Sequence, residues 1–250
     1  MNIETEAIVL KQTKIAGGRR MVVLFSKHYG KISSGTSISE RGKSRAALAL
    51  RPFVYGKYQI KKINDYYYIN GGEAISSHYA IGEDVDKYLC ASYGMEVTGK
   101  LLPEDAPDPK LFLLFSEFLD TMEKRSKKYE TILIAYLMKV LDHMGNSPCI
   151  NSCVICGSKD KPAGFDVEEG GILCEPCFRL AQNNQRLIYN AEFDIVNVIN
   201  FLIRRPLSEF DNLALDDGAL RWLQKVFKSY IDCHLGISSL KSEEYMKGVE

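Results

Sequence analysis

The sequence predicts an α+β chain of more than one domain: a small β-barrel over residues 1–80, then an α-helical domain over residues 81–250 with a cysteine-rich excursion at about 150–180. Three observations carry this reading. The first 80 residues are short β-prone runs broken by glycine, the apolar period becomes helical after residue 83, and two Cys-x-x-Cys pairs stand seventeen residues apart in the second part.

Taken in order, "EAIVLKQTKI" and "RMVVLFSKHYGKISSGTSI" are rich in β-branched and aromatic residues. "FVYGKYQIKKINDYYYINGG" alternates apolar with basic positions, with turns expected at Asn64-Asp65 and Asn70-Gly71-Gly72. About five strands fit, and with no helical pattern between them the OB fold is the leading architecture. "DVDKYLCASYGMEVTGKLL" then has helical spacing, and the break "LPEDAPDPK" offers Asp108 as an N-cap with Pro109 at the first helical position. "LFLLFSEFLDTMEK" and "YETILIAYLMKVLDHMG" follow as an expected antiparallel helical pair separated by a basic run, with Gly145 as the stop. Further helices are expected near 191–204 and 216–235, the latter capped by Asp216.

Hydrophobic residues make up 46% and charged residues 26%, which places the chain among globular proteins rather than disordered or fibrous ones. Apolar runs such as Ile132 to Met138 fall short of the roughly eighteen residues of a bilayer helix, and the N-terminus lacks the basic-then-apolar order of a secretory signal. The expected location is the cytoplasm, without a membrane partner. Formal charge is zero overall, but residues 1–80 hold thirteen Lys and Arg against five Asp and Glu, a net of +8 that the remainder cancels. Such asymmetry suggests a nucleic-acid surface at one end, against the plainer reading of uneven charge on a solvated surface. The candidate cations are Arg19, Arg20, Lys27, Lys31, Arg41, Lys43, Arg45, Arg51, Lys57, Lys61 and Lys62. Phe25, Tyr29, Phe53, Tyr55, Tyr58 and the triplet Tyr66-Tyr67-Tyr68 lie among them, each able to stack on a base or to fill the barrel core.

Cys153-x2-Cys156-x17-Cys174-x2-Cys177 has the two-knuckle spacing of a four-cysteine zinc site. Each knuckle offers two thiolates, and "FDVEEGGIL" between them reads as the hairpin that brings them together. Four thiolates leave no open position for water, so one Zn2+ per chain would be structural. Disulfides are disfavoured in a reducing compartment, and a redox pair needs only one Cys-x-x-Cys. Cys90, Cys149 and Cys233 are expected to be buried small hydrophobes. No catalytic constellation stands out: the four histidines fit no catalytic pattern, Gly17-Gly18-Arg19-Arg20 lacks the phosphate-loop Lys, and Glu168-Glu169 read as turn residues. The expectation is a non-enzymatic protein. The alternatives are a metal-dependent nuclease with a structural zinc ribbon, or a protein-interaction scaffold.

Together "ETEAIVLKQTK", "LFSKHYGKIS", "GKSRAALALRPFVYGKYQI", "LDHMGNSPCINSCVICG", "FDVEEGGILCEPC" and "LRWLQKVFKSYIDCHLGISSLKSEEYM" resemble RecO, the bacterial family of DNA repair and recombination mediators, in order and over nearly the whole chain. The resemblance implies an OB-fold domain that binds single- and double-stranded DNA and a helical domain with a zinc finger. It implies annealing of complementary strands and, with RecR, loading of RecA onto DNA coated by single-stranded-DNA-binding protein (SSB), at the nucleoid. The family's basic loop matches Ser39 to Arg45, with Glu40 as a departure, and Arg19-Arg20 stand where the family commonly has acidic or small polar residues. Lys124, Arg125, Lys127 and Lys128 are the expected receptor for the acidic SSB tail.

Overall fold

The computed structural model describes residues 2–15, 19–39, 44–210 and 214–246, the side chains of the last three excepted. Two compact units divide it, residues 1–125 with 242–250, and residues 126–241.

Unit one is built on a closed five-stranded barrel in the order β1 (Asn2–Lys14), β2 (Arg20–Ser26), β3 (Gly30–Thr36), β5 (Tyr66–Ser76), β4 (Tyr55–Ile63). All pairings are antiparallel except β3 with β5, where Ser34 opposes Tyr67 and Gly35 opposes Tyr68 in a short parallel contact. This order, with a helix between β3 and β4, is that of the OB fold. Alternation along β4 buries Gly56, Tyr58 and Ile60 and turns Lys57, Gln59 and Lys61 outward, as a half-buried strand requires. The interior is filled by Ile3, Ala7, Val9, Val22, Leu24, Ile32, Val54, Tyr58, Ile60 and Ile69.

The outer side of β1 at residues 7–10 and of β2 at Phe25 is buried as well. Phe25 meets Phe112 edge-on at 5.3 Å and Phe115 at 6.5 Å between ring centres, and Tyr55 meets Phe112 at 5.8 Å. Those phenylalanines belong to α3 (Pro109–Lys124), whose N-cap Asp108 accepts from the Leu111 amide with proline in the first turn. The helix α2 (Val85–Leu101), capped by Asp84, brings Gly99 up to Leu10. Helices therefore cover one outer side of the barrel and account for the unbroken burial of residues 7–10 in β1.

Two expectations fail within this unit. Gly71-Gly72 lie inside β5 rather than in a turn. A Cβ at Gly72 would meet the Tyr58 ring at 2.9 Å, and the ladder slips between Gln59 and Ile60, so the pair lets a strongly bent strand close over a buried aromatic. The stretch between β3 and β4 is not helix-free, because Ser44 caps α1 (Arg45–Ala49), too short a helix to register as a period.

In unit two, α4 (Tyr129–His143) is buried along almost its entire length and ends at Gly145, whose φ is 76°. The two helices expected to pair, α3 and α4, thus fall in different units. The helices α6 (Ile195–Arg204) and α7 (Asp217–Leu235) start at the aspartate caps Asp194 and Asp216. Phe165 of β6 (Gly164–Asp166) sits among Trp222, Phe227 and Tyr230 of α7 at ring distances of 5.9 to 6.1 Å. Among the described residues no helix is long and apolar enough to cross a membrane.

A clamp in unit one makes it sensitive to pH. The buried His78 ring faces the Phe53 carbonyl at 2.8 Å through Nδ1 and the Asp120 carboxylate at 2.9 Å through Nε2. Both partners are acceptors, so only the imidazolium satisfies both. Burial works against that charge, but the hydrogen bond to Asp120, then the Phe53 carbonyl and the negative field of Asp120 and Glu123, outweigh it and raise the pKa above 6.5. Phe53 and His78 are both held at positive φ, 69° and 45°, a backbone cost such contacts must offset. The clamp's stabilisation is complete below the ordinary histidine pKa and is lost as pH rises through the higher folded value. Thermal unfolding from about pH 5.5 to 8.5 should show the midpoint falling across that window in the parent and a flatter profile in His78→Gln, and a parent profile that rises would contradict the clamp.

Candidate nucleic-acid interface and metal centre

With helices on one side of the barrel, the outer side of β2, β3 and β5 remains open. There a groove of about 480 Å³ is lined by Ile15 and Arg19 at the β1–β2 connection, Met21, Ser33, Gly35, Thr36 and Ser37 on and after the strands, and Asp65 to Asn70 beyond the β4–β5 turn. In OB folds the strand 2–3 face with the loops after strands 1 and 4 is where oligonucleotides bind. Asn64, with φ 53°, forms the tight turn that raises Tyr66 onto this face. Tyr66 is 69% and Tyr68 41% exposed. Gly35 leaves room for the Tyr68 ring, which a Cβ there would touch at 3.5 Å. Lys61 stands opposite Tyr68, so a cation and a ring share one edge of the groove.

Among the cations expected from sequence, Arg19, Arg45, Arg51, Lys57 and Lys61 are exposed. Lys57 lies between Glu6 and Glu73 on the neighbouring strands, and Lys27 is half-buried, 4.0 Å from Glu6. Lys62 donates to the Tyr67 hydroxyl at 3.1 Å, and that contact, before any other, raises its pKa. Lys31 is held by the Gly99 carbonyl and Glu104. Arg20, only 4% exposed, donates from its guanidinium to the Gln12 side chain and the Ile38 carbonyl, so it holds the barrel together and presents no charge to a ligand. Arg41 and Lys43 lie outside the described residues. Of the rings, Phe25, Phe53 and Tyr58 are core, Tyr29 packs against it, and Tyr55 is tied to Glu6. In the cluster expected to receive an acidic tail, Lys124 and Lys127 are exposed, Arg125 is buried at 6%, and Lys128 is ion-paired with Asp217. Ile15, Met21 and Asn70 escaped the sequence reading, because a groove formed by strand closure leaves no local pattern.

In unit two the four knuckle cysteines converge. Their Sγ atoms all lie within 4.8 Å of one another, with Cys156 and Cys174 at 3.5 Å. Metal–sulfur bonds of about 2.3 Å in a tetrahedron place thiolates about 3.8 Å apart, so the arrangement suits a thiophilic ion. The first knuckle turns at Gly157, with φ 74°, where the glycine amide donates to the Cys153 carbonyl. The second begins α5 (Glu175–Asn183) with Cys174 as N-cap and Pro176 in the first turn, which points free helix amides at the sulfurs. Between them β6 pairs with β7 (Gly171–Leu173) as the expected hairpin, and β8 (Ile188–Asn190) adds a third strand on the other side of β6. The Val154 amide donates to the Ile172 carbonyl and the Ala163 amide to the Leu173 carbonyl, fastening the first knuckle to the sheet. Buried Asp166 pairs with Arg186 at 3.0 Å, and Arg186 also with Glu169.

The electrostatics favour a cation at the cluster. Burial raises the Cys153 thiol, but amides of Cys156, Cys174 and Ile155 overcome this and bring it to about 6. The Cys177 amide pulls the Cys174 thiol down, yet burial and the neighbouring thiols leave it raised. Cys177 is pushed up to about 12, by burial first and then by its hydrogen bonds to the other three. Ionisation is favoured at Cys153 and opposed at Cys174 and Cys177, as in a crowded set of thiols that a cation would stabilise. Of the other cysteines only Cys90 is buried; Cys149 and Cys233 are exposed, correcting the expectation of core thiols. Cys149 lends its backbone instead, its amide donating to the Gly170 carbonyl and its own carbonyl accepting from the Ile172 amide.

Two family models match the chain, one described as Recombination protein O N terminal over residues 1–78 and one as Recombination protein O C terminal over residues 82–244. Among curated proteins it is 29% identical to a DNA repair protein RecO of Alkaliphilus metalliredigens over 252 residues, covering all of both chains. Similarity to a protein of the same name from Caldanaerobacter subterraneus is 26% over 243 residues, 97% of this chain and 96% of that one. For the protein of that name from Bacillus pumilus it is 27%, with 100% and 95% covered.

Apparent binding energies at four-ligand sites of this kind are on the order of 10 kcal/mol. Elemental analysis should therefore return about one thiophilic ion per chain, and Cys174→Ser should lose it and lower the unfolding midpoint of residues 126–241. A metal-free chain with that unit fully folded would contradict the site.

Proposed function

The chain belongs to the RecO family, and on that premise we propose that it is a DNA-binding recombination mediator, in which residues 1–80 supply the DNA surface and the helical unit of residues 126–241 holds one structural zinc ion. The observation that carries this reading is the open β2–β3–β5 face of the barrel, where exposed Tyr66 and Tyr68 share a groove with Arg19 and Lys61 stands at its edge.

Single strands suit that mixture. Phosphates are met by Arg19, Lys61, Arg45 and Arg51, the latter two on and after α1, with Arg41 and Lys43, earlier in the sequence, as further candidates. Bases stack on Tyr66 and Tyr68 at about 1 to 3 kcal/mol each. Annealing needs no hydrolysis: the cations screen two like-charged strands, and base pairing then releases its own stacking energy. The same cations give duplex DNA a weaker, backbone-only footing. With RecR the protein would hand SSB-coated strands to RecA, and no chemical step is assigned to the chain itself. Cys153, Cys156, Cys174 and Cys177 fill the zinc coordination sphere and leave no position open for a substrate.

Annealing of complementary oligonucleotides without ATP, bare and SSB-coated, across a salt series, tests the reading. Annealing should persist on coated strands and fall steeply with salt. Arg19→Ala should reduce the log–log salt slope of single-strand binding by about 0.7, and Tyr66→Ala with Tyr68→Ala should weaken binding about tenfold or more. Strand cleavage in Mg2+, or binding no better than that of a charge-matched control protein, would overturn it.

A further inference from the structure

Beside the groove, bonded to Ser33 and Tyr67 of its lining, stand two acids of the wrong sign for DNA. Between α2 and α3 the segment 102–108 runs along the outer edge of β3, where Glu104 forms a parallel bridge with Lys31 and the Asp105 amide donates to the Lys31 carbonyl at 3.1 Å. Its acids take up groups that belong to the groove or its border. Glu104 pairs with Lys31 Nζ at 3.6 Å and accepts from the Ser33 hydroxyl at 3.4 Å, and Asp105 accepts from the Tyr67 hydroxyl at 2.9 Å. Lys62 donates in turn to that hydroxyl. The close approach depends on Gly30, at φ 69°, where a Cβ would collide with the Ala106 carbonyl.

We propose that Glu104 and Asp105 form an acidic positioning wall that neutralises Lys31, denies the β3 edge to phosphates, and confines a DNA strand to the side of the groove formed by Arg19, Tyr66, Tyr68 and Lys61. The inference rests on the barrel face being the DNA site. Lys31 is the only Lys or Arg in β3, and its side chain is 19% exposed. Paired with Glu104 and bound to the Gly99 carbonyl, it offers a phosphate little, while the two carboxylates repel one. Ser33 and Tyr67 line the groove on that side, so repulsion there and attraction at Arg19 and Lys61 together set the lateral position of the strand. Like charges across an interface act chiefly through such exclusion.

The test is a double-mutant cycle in the full chain, reading affinity for fluorescent oligothymidylate against salt. Glu104→Gln with Asp105→Asn preserves the hydrogen-bonding shapes and should tighten binding by about three- to tenfold at low salt, with the gain vanishing as screening rises. Lys31→Ala should change parent affinity by less than about twofold, but in the neutralised background it should lower the salt slope by about 0.7, because a released Lys31 becomes a phosphate contact. Unchanged or weaker binding on neutralisation, with an unchanged unfolding midpoint, would overturn the wall, as would an identical Lys31→Ala effect in both backgrounds. A parent chain that does not bind oligothymidylate would instead remove the DNA reading on which the wall rests.

Discussion

The N-terminal unit depends on the closure of its barrel through the parallel contact of β3 with β5. Two residue pairs, Ser34 with Tyr67 and Gly35 with Tyr68, join strands that the antiparallel meander would leave as open edges. Closing them removes two rows of unpaired backbone groups and fixes which residues face out. Closure brings the β1–β2 connection and the β4–β5 turn to the same end of one face, so that Arg19 and Tyr66, far apart in sequence, line one groove. The helices complete the asymmetry. Because Phe112 and Phe115 of α3 and the α2 glycine Gly99 cover the barrel at Phe25 and Leu10, the β2–β3–β5 side stays open, and its groove carries both Arg19 and Tyr66.

Much of this was legible in the sequence. Strand alternation, the Asn64 turn, the aspartate caps at positions 108 and 216, the Gly145 stop and the knuckle spacing each depend on residues within a few positions of one another, and local patterns report local geometry. The failures share the opposite property. Gly71-Gly72 have the composition of a turn, but the buried Tyr58 ring and the ladder slip opposite them make them the bend of a strand. Arg20 reads as a surface cation until β1 and the segment after β3 close around it and supply acceptors. Lys31 looked available until a segment some seventy residues later placed Glu104 beside it. In each case a tertiary neighbour decided the outcome.

The second unit solves a different problem. Phe165 anchors the three-stranded sheet into α7, yet the knuckle end has a small core of Cys153, Leu173, Cys174, Phe178 and Ala181. Such a patch buries too little to order two loops and a short helix unaided. A thiophilic ion at the four converging sulfurs would supply the missing constraint, and Gly164 and Gly171, where any Cβ would strike Phe178 or the Cys149 carbonyl, let the arms pack closely enough to bring the sulfurs together. Sequence proximity within each Cys-x-x-Cys made the knuckles readable, whereas β8 and the buried pairing of Asp166 with Arg186 depend on contacts made only after folding.

Photochemical crosslinking of oligothymidylate to the full chain, followed by peptide mapping, tests most directly whether the open barrel face is the DNA site. Crosslinks concentrated at Tyr66 and Tyr68, lost with excess unlabelled strand and at high salt, are the result the account predicts. Crosslinks confined to residues 126–241, with the barrel tyrosines unmodified, would contradict it.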